Sequence, residues 1–212
     1  NAPLVVMLSC VPIEDIDFLH FPHTAIEYVT HGIEFARSLP LGGRRIVSFH
    51  LNSLVSHEEF KKHSAEAWRE RFSEIADSLS LLTDYARLLG VEIVVESVPA
   101  PEWGDLHPSD TKTYLGTPVR FLFNPFYLTS NWGFDEIHSC GAGICLDLCH
   151  NSTIYKSAQT PAGSAVLFKE DLAALSRQSL IYDVLGLNPS RDIVHLNDGR
   201  GLFSFEGGIF EE

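Results

Sequence analysis

A chain of 212 residues that is 45% hydrophobic can bury a sizeable core, and 20% charged residues without a low-complexity tract argue against disorder. Twenty-eight acidic residues against fifteen basic ones give a formal charge of −13, which disfavours a large nucleic-acid footprint unless bound divalent metal inverts the charge inside a cleft. Four cysteines, at positions 10, 140, 145 and 149, are too unevenly spaced for a disulfide scaffold in a chain this long, so reduced thiols and a cytoplasmic location are expected.

Short runs rich in Val, Ile and Leu alternate with longer segments of helical period. Residues 4–9 read as a buried strand. The opening run lacks the positive leading segment of a lipoprotein signal, and no apolar run approaches a membrane span. Thr24 to Leu39 reads as a helix with Thr24 as N-cap, and Arg45 to Leu51 as the second strand. His57 to Leu89 contains helix, with Phe60, Ala67, Phe72, Ile75, Leu79 and Leu82 apolar and Gly90 as the stop.

Val91 to Glu96 is the third strand, Gly143 to Leu148 the fourth and Asp192 to Leu196 the fifth, with Lys169 to Gly186 helical between the last two. Strands separated by helices predict parallel pairing. One domain spanning 1–212 is expected. Pro99 to Gly141 breaks the rhythm with about forty residues, far beyond an ordinary strand-to-helix loop. Its Trp103, Phe121, Phe123, Phe126, Tyr127 and Trp132 predict an excursion that packs over something, either the barrel exterior or a pocket as a lid.

Four of the five strands end in a group that can bind metal or move a proton: His50, Glu96, Asp147 and His195. Parallel strands present their C-terminal ends on one face, so these side chains should converge there. Alternation puts Ser48 and Ile46 with His50, Val94 and Glu92 with Glu96, Cys145 with Asp147, and Ile193 with His195. Alone, a strand-end His is ordinary hydrogen-bonded structure and a Glu can cap a helix; the four together point to metal. Oxygen and imidazole donors suit Mn, Mg, Zn, Co or Fe. Cys140, Cys145 and Cys149 with His138 and His150 lack paired Cys-x2-Cys spacing, and core packing is the preferred reading. His20, His23, His31, His57 and His63 read as solvated loop or helix-face residues.

Glu96 in Val95-Glu96-Ser97-Val98-Pro99, then Asp147-Leu148-Cys149-His150, then His195-Leu196-Asn197-Asp198, resembles the xylose-isomerase-like superfamily of sugar isomerases, epimerases and endonuclease IV. Glu206-Gly207-Gly208-Ile209 is similar to that family's Gly-rich segment. The resemblance implies an α/β fold of the TIM (β/α)8-barrel type, lacking the first two strands and the last in the sequence given, which starts with Asn as a fragment or trimmed chain would. It implies one divalent metal (Mn, Mg, Co or Zn) held by Glu96, Asp147 and His195, with the usual fourth ligand, a last-strand Glu, unmatched here.

The resemblance also implies a small-molecule substrate, a sugar or similar polyhydroxylated carbonyl compound. Glu96 would be the base next to the carbonyl, and His50, His150 and Arg200 substrate contacts; a solvated loop residue is the competing reading of Arg200. The nuclease branch matches at His50, Glu96, Asp147, His150 and His195, but no His follows His195 and Cys10 or Ser9 stands where an early-strand His is expected. A non-catalytic barrel or binding module is the third class. A homo-oligomer is compatible with all three.

Overall fold

The computed structural model describes residues 3–8, 17–40, 42–99, 101–104, 112–114, 117–119, 121–161, 163–196, 202–204 and 209–211. The chain opens with β1 (Leu4–Met7), α1 (Pro22–Ser38) and β2 (Arg45–His50). It continues through β3 (Val55–Ser56), α2 (His57–Lys62), α3 (Ala65–Arg71) and α4 (Ser73–Leu88) to β4 (Glu92–Glu96). Four short strands follow: β5 (Pro101–Gly104), β6 (Lys112–Tyr114), β7 (Thr117–Val119) and β8 (Phe121–Phe123). Next come α5 (Phe134–Ser139), β9 (Gly143–Asp147), α6 (Leu148–Ala158), α7 (Gly163–Val166), α8 (Lys169–Leu175) and α9 (Ile181–Gly186). The last elements are β10 (Ile193–His195), β11 (Leu202–Ser204) and β12 (Ile209–Glu211).

All five sequence-read strands form, and they make one parallel sheet in the order β1-β2-β4-β9-β10. The order never reverses, unlike a doubly wound sheet, so right-handed crossovers place successive helices on the same side. That side carries Val47, Phe49, Ile93, Val95, Ile144 and Leu146, packed with Ala25, Val29 and Ile33 of α1 and Ile75, Leu79 and Leu82 of α4. The opposite side holds a separate small cluster of Ile46, Val94 and Cys145, with Ile193 against it. Alternation along each strand produces the two faces, and the polar strand ends fall on the second. At the sheet edges Val5, Met7 and Val194 are exposed, and β1 and β10 are not paired with each other. The five strands are thus an open α/β sheet.

Three expectations shift in detail. The first helix begins at Pro22 after an uncapped Phe21, not at Thr24, because proline's fixed φ and missing N–H suit the first helical position. The stretch from His57 splits into three helices; Ser56 and Ser64 accept from Glu59 N and Ala67 N at 3.2 Å and cap the first two. Lys169 to Gly186 divides at Leu175 into α8 and α9. Gly90, at φ +67°, ends α4 as expected.

The long excursion contributes β8, which pairs antiparallel with β3 and β5, and also α5. Phe123, Phe126 and Tyr127 are buried. Phe126 meets Trp68 of α3 edge-on at 6.2 Å, Phe123 lies 5.2 Å from Phe60 of α2, and Tyr127 stacks on Phe168 at 5.7 Å. From residue 122 to 139 the excursion is therefore an aromatic layer bonded to α2, α3 and the start of α8. The side chains of Trp103 and Phe121 lie outside the described residues.

Candidate metal centre

The sheet register sets the site. His50 stands opposite Glu96 and His195 opposite Asp147, while Glu96 is paired with Cys145, one pleat back from Asp147. Neighbouring parallel strands lie about 4.8 Å apart, so four strand-end side chains on one face have no room to avoid one another. His195 Nδ1 lies 2.8 Å from Asp147 Oδ2 and 3.0 Å from Glu96 Oε1. His50 Nε2 is 3.7 Å from the same Glu96 oxygen. The His50 and His150 rings meet edge-on with centroids 5.7 Å apart.

Two groups could each hold an ion: Glu96, Asp147 and His195, and His50, Glu96 and His150. Within each, the donor atoms all lie within 4.8 Å of one another, and Glu96 belongs to both. Among the described residues neither group includes a cysteine. Asp147 is fully buried and Glu96 is 4% exposed, whereas the His195 side chain is 30% exposed. Buried carboxylates at this spacing repel each other unless a proton or a cation stands between them. The donor set of two carboxylates and one imidazole fits a hard or borderline divalent ion.

Local structure fixes these candidate donors. Asp147 is extended, at φ −82° and ψ 114°, and is the N-cap of α6: its Oδ1 accepts from His150 N at 2.9 Å. The other oxygen is thereby turned to His195. Ser97 braces the same corner, its Oγ accepting from Asp147 N at 3.0 Å and its carbonyl lying 2.9 Å from His150 Nδ1. A carbonyl only accepts, so Nδ1 carries the proton and the neutral ring has its lone pair on Nε2. Ser48 Oγ donates to Glu96 Oε2 at 3.2 Å. Burial pushes the Glu96 carboxyl up, but His50, then His195 and His150, outweigh it and hold the group below the usual carboxylate range. Cys145 is pushed up to about 12, first by burial and then by the Glu96 charge.

His50, Glu96, Asp147, His150 and His195 are thus brought to one place. Arg200 and the segments Asn197–Asp198 and Glu206–Gly208 lie outside the described residues, as do Ser9 and Cys10. The cysteine group does not assemble as a site: Cys140, Cys145 and Cys149 are buried thiols outside any disulfide, and His138 bonds Asp192 at 2.9 Å. Of the histidines read as solvated, His23, His31 and His57 are exposed, though His57 Nε2 lies 2.9 Å from Ala165 O, while His63 bonds Glu59 at 3.1 Å and His20 bonds the fully buried Asp17 at 2.9 Å. Sequence reasoning passed over Ser48 and Ser97. Ser48 was legible only through its alternation with His50, and Ser97 only as a hydroxyl directly after Glu96.

No family model matches the chain, and no curated protein matches it. Among solved structures it is similar to an L-ribulose 3-epimerase, with 18% identity and a TM-score of 0.43 over 70% of this chain. The chain spans 41% of that protein's length. No helix among the described residues is long and apolar enough to cross a membrane.

Proposed function

We propose that this chain is part of a TIM-barrel-type enzyme of the xylose-isomerase-like kind, a metal-dependent isomerase or epimerase of a sugar or similar polyhydroxylated carbonyl compound. The observation that carries the reading is His195 Nδ1 standing 2.8 Å from Asp147 Oδ2 and 3.0 Å from Glu96 Oε1 across three adjacent strands. Glu96, Asp147 and His195 would hold one divalent ion (Mn, Mg, Co or Zn), with His195 the ligand open to solvent. When bound, such an ion supplies a Lewis acid for adjacent substrate oxygens. Glu96, ionised at neutral pH and aimed by its imidazole neighbours, removes the proton next to the substrate carbonyl. His50 and His150 close the same pocket against substrate hydroxyls, and Arg200 is the proposed cation for developing negative charge.

Metal content measured by mass spectrometry, on wild type and His195→Ala prepared without chelator or His tag, tests the centre. One ion per wild-type chain, lost in the variant, is expected. Glu96→Gln should abolish exchange of the substrate α-hydrogen with deuterated solvent while leaving the fold intact; retained exchange rules out Glu96 as the base. The second group, His50, Glu96 and His150, favours a second reading, an endonuclease IV-like phosphodiesterase. Two or three ions per chain would support it and call for an abasic-DNA assay. No ion in either sample after incubation with Mn, Zn and Mg would leave a binding role.

A further inference from the structure

We propose that Ser48 is the positioning residue of this centre, fixing the rotation of the Glu96 carboxylate so that a single oxygen, Oε1, faces His195 and Asp147. The inference rests on the metal-centre reading above. Ser48 is fully buried on β2, on the same face as His50 and one pleat below it. Its register partner is Val94, two residues before Glu96, so its hydroxyl looks along the neighbouring strand toward that carboxylate.

A buried hydroxyl must place its proton on an acceptor, and Glu96 Oε2 at 3.2 Å takes it. The terminal torsion of a glutamate is broad and roughly two-fold, so the side chain alone does not decide which oxygen faces the site. A bond to one oxygen decides it. With Oε2 held by Ser48, Oε1 lies 3.0 Å from His195 Nδ1 and 3.7 Å from His50 Nε2. The imidazoles of His195 and His50, one from each candidate ion group, therefore face the same Glu96 oxygen. Without the hydroxyl, the hydrogen bond that distinguishes Oε2 from Oε1 is gone, and the His195 and His50 nitrogens beside Oε1 can be met by either oxygen.

Outer contacts that orient a ligand are worth about 10–100-fold in metal affinity. The test compares wild type, Ser48→Ala and Ser48→Thr in the full chain, with Mn(II) and Zn(II) titrated against a chelating indicator. Ser48→Ala should weaken binding by about tenfold or more, and Ser48→Thr, which keeps the hydroxyl, should restore it. In metal-free crystals the Glu96 carboxylate plane should turn in Ser48→Ala and keep its orientation in Ser48→Thr. Unchanged affinity in Ser48→Ala, or equal losses in both variants, overturns the positioning role. If wild type binds neither ion, the metal-centre reading fails, and the metal-free crystals decide Ser48 separately: an unmoved carboxylate in Ser48→Ala overturns it.

Discussion

Asp192 is the last residue before β10, and its carboxylate joins three parts of the fold. Oδ1 accepts from Ile144 N on β9 at 2.9 Å, Oδ2 accepts from Asn188 N at 2.6 Å, and His138 Nε2 of α5 lies 2.9 and 3.1 Å from the two oxygens. The close approach depends on Gly143, where a Cβ would stand 2.6 Å from the Arg191 carbonyl oxygen. Asp192→Ala strands the buried Ile144 N–H, at about 1–3 kcal/mol, and removes two further bonds to a charged acceptor, whose donors can partly turn to water. Together the loss should be about 3–5 kcal/mol, the sum of one stranded buried donor and the lost bonds to a charged acceptor. Urea denaturation at pH 7, read by far-UV circular dichroism, measures it. Asp192→Asn keeps an acceptor for Ile144 N and should lose less. In the Asp192→Ala background, His138→Ala should add little, because its partner is already gone. A loss below about 1 kcal/mol for Asp192→Ala would refute the reasoning, since water or a shifted backbone would then be satisfying Ile144 N as well as the carboxylate does.

In native protein at pH 8, iodoacetamide should leave Cys140, Cys145 and Cys149 unmodified, and peptide mass spectrometry reads the outcome. Burial and Glu96 push the Cys145 thiol up to about 12. The thiol is neutral in both states at neutral pH, so the raised pKa has no effect there, and stability falls as pH climbs from about 8.5, the unfolded value, toward the folded one. Labelling of native Cys145 would contradict this. Trp68 is fully buried and donates its indole N–H to Phe60 O at 3.4 Å; Trp68→Ala should cost about 3–5 kcal/mol by chemical denaturation, and a loss below about 2 would mean the aromatic layer does not hold the excursion in place. Asp147→Asn should keep the cap on α6, since Asn caps about as well as Asp, and hold stability within about 1 kcal/mol while ion binding by mass spectrometry is lost. Retained ion binding would remove Asp147 from the centre.

The strands and their polar ends were legible because a parallel sheet imposes strong local patterns: a short apolar run, a polar stop, then a helix. Even the inward set was readable, since Ser48, Val94, Cys145 and Ile193 fall on the face of His50, Glu96, Asp147 and His195 by alternation alone. What a strand-ending carboxylate does locally was not readable. Asp147 caps a helix with one oxygen and faces His195 with the other, and only the backbone angles show that the two jobs divide between the oxygens. The aromatic excursion signalled burial but not its partners, because Phe60 and Trp68 lie more than fifty residues earlier in the chain. Asp192 looked like a strand edge and His138 like part of a cysteine cluster; their pairing joins residues 54 apart, at a separation no local pattern encodes.

The same physics explains why the candidate donors could be named while their geometry could not. Strand order and alternation bring His195, Asp147, Glu96 and His50 to one end and one face, so the set follows from composition at four positions. The distances follow from register, and register is a property of neighbouring strands. A one-residue slip of β10 would keep every residue of the motif yet turn His195 to the helix side, where Val194 now lies. The Asp192 carboxylate bonds Ile144 N on β9 from the residue just before β10. It pins the register at the start of the strand, three residues before the imidazole that the register must deliver. The site at the C-terminal ends of the strands thus depends on a buried hydrogen bond at their N-terminal ends, and for that reason Asp192→Ala should weaken ion binding although Asp192 touches no ligand.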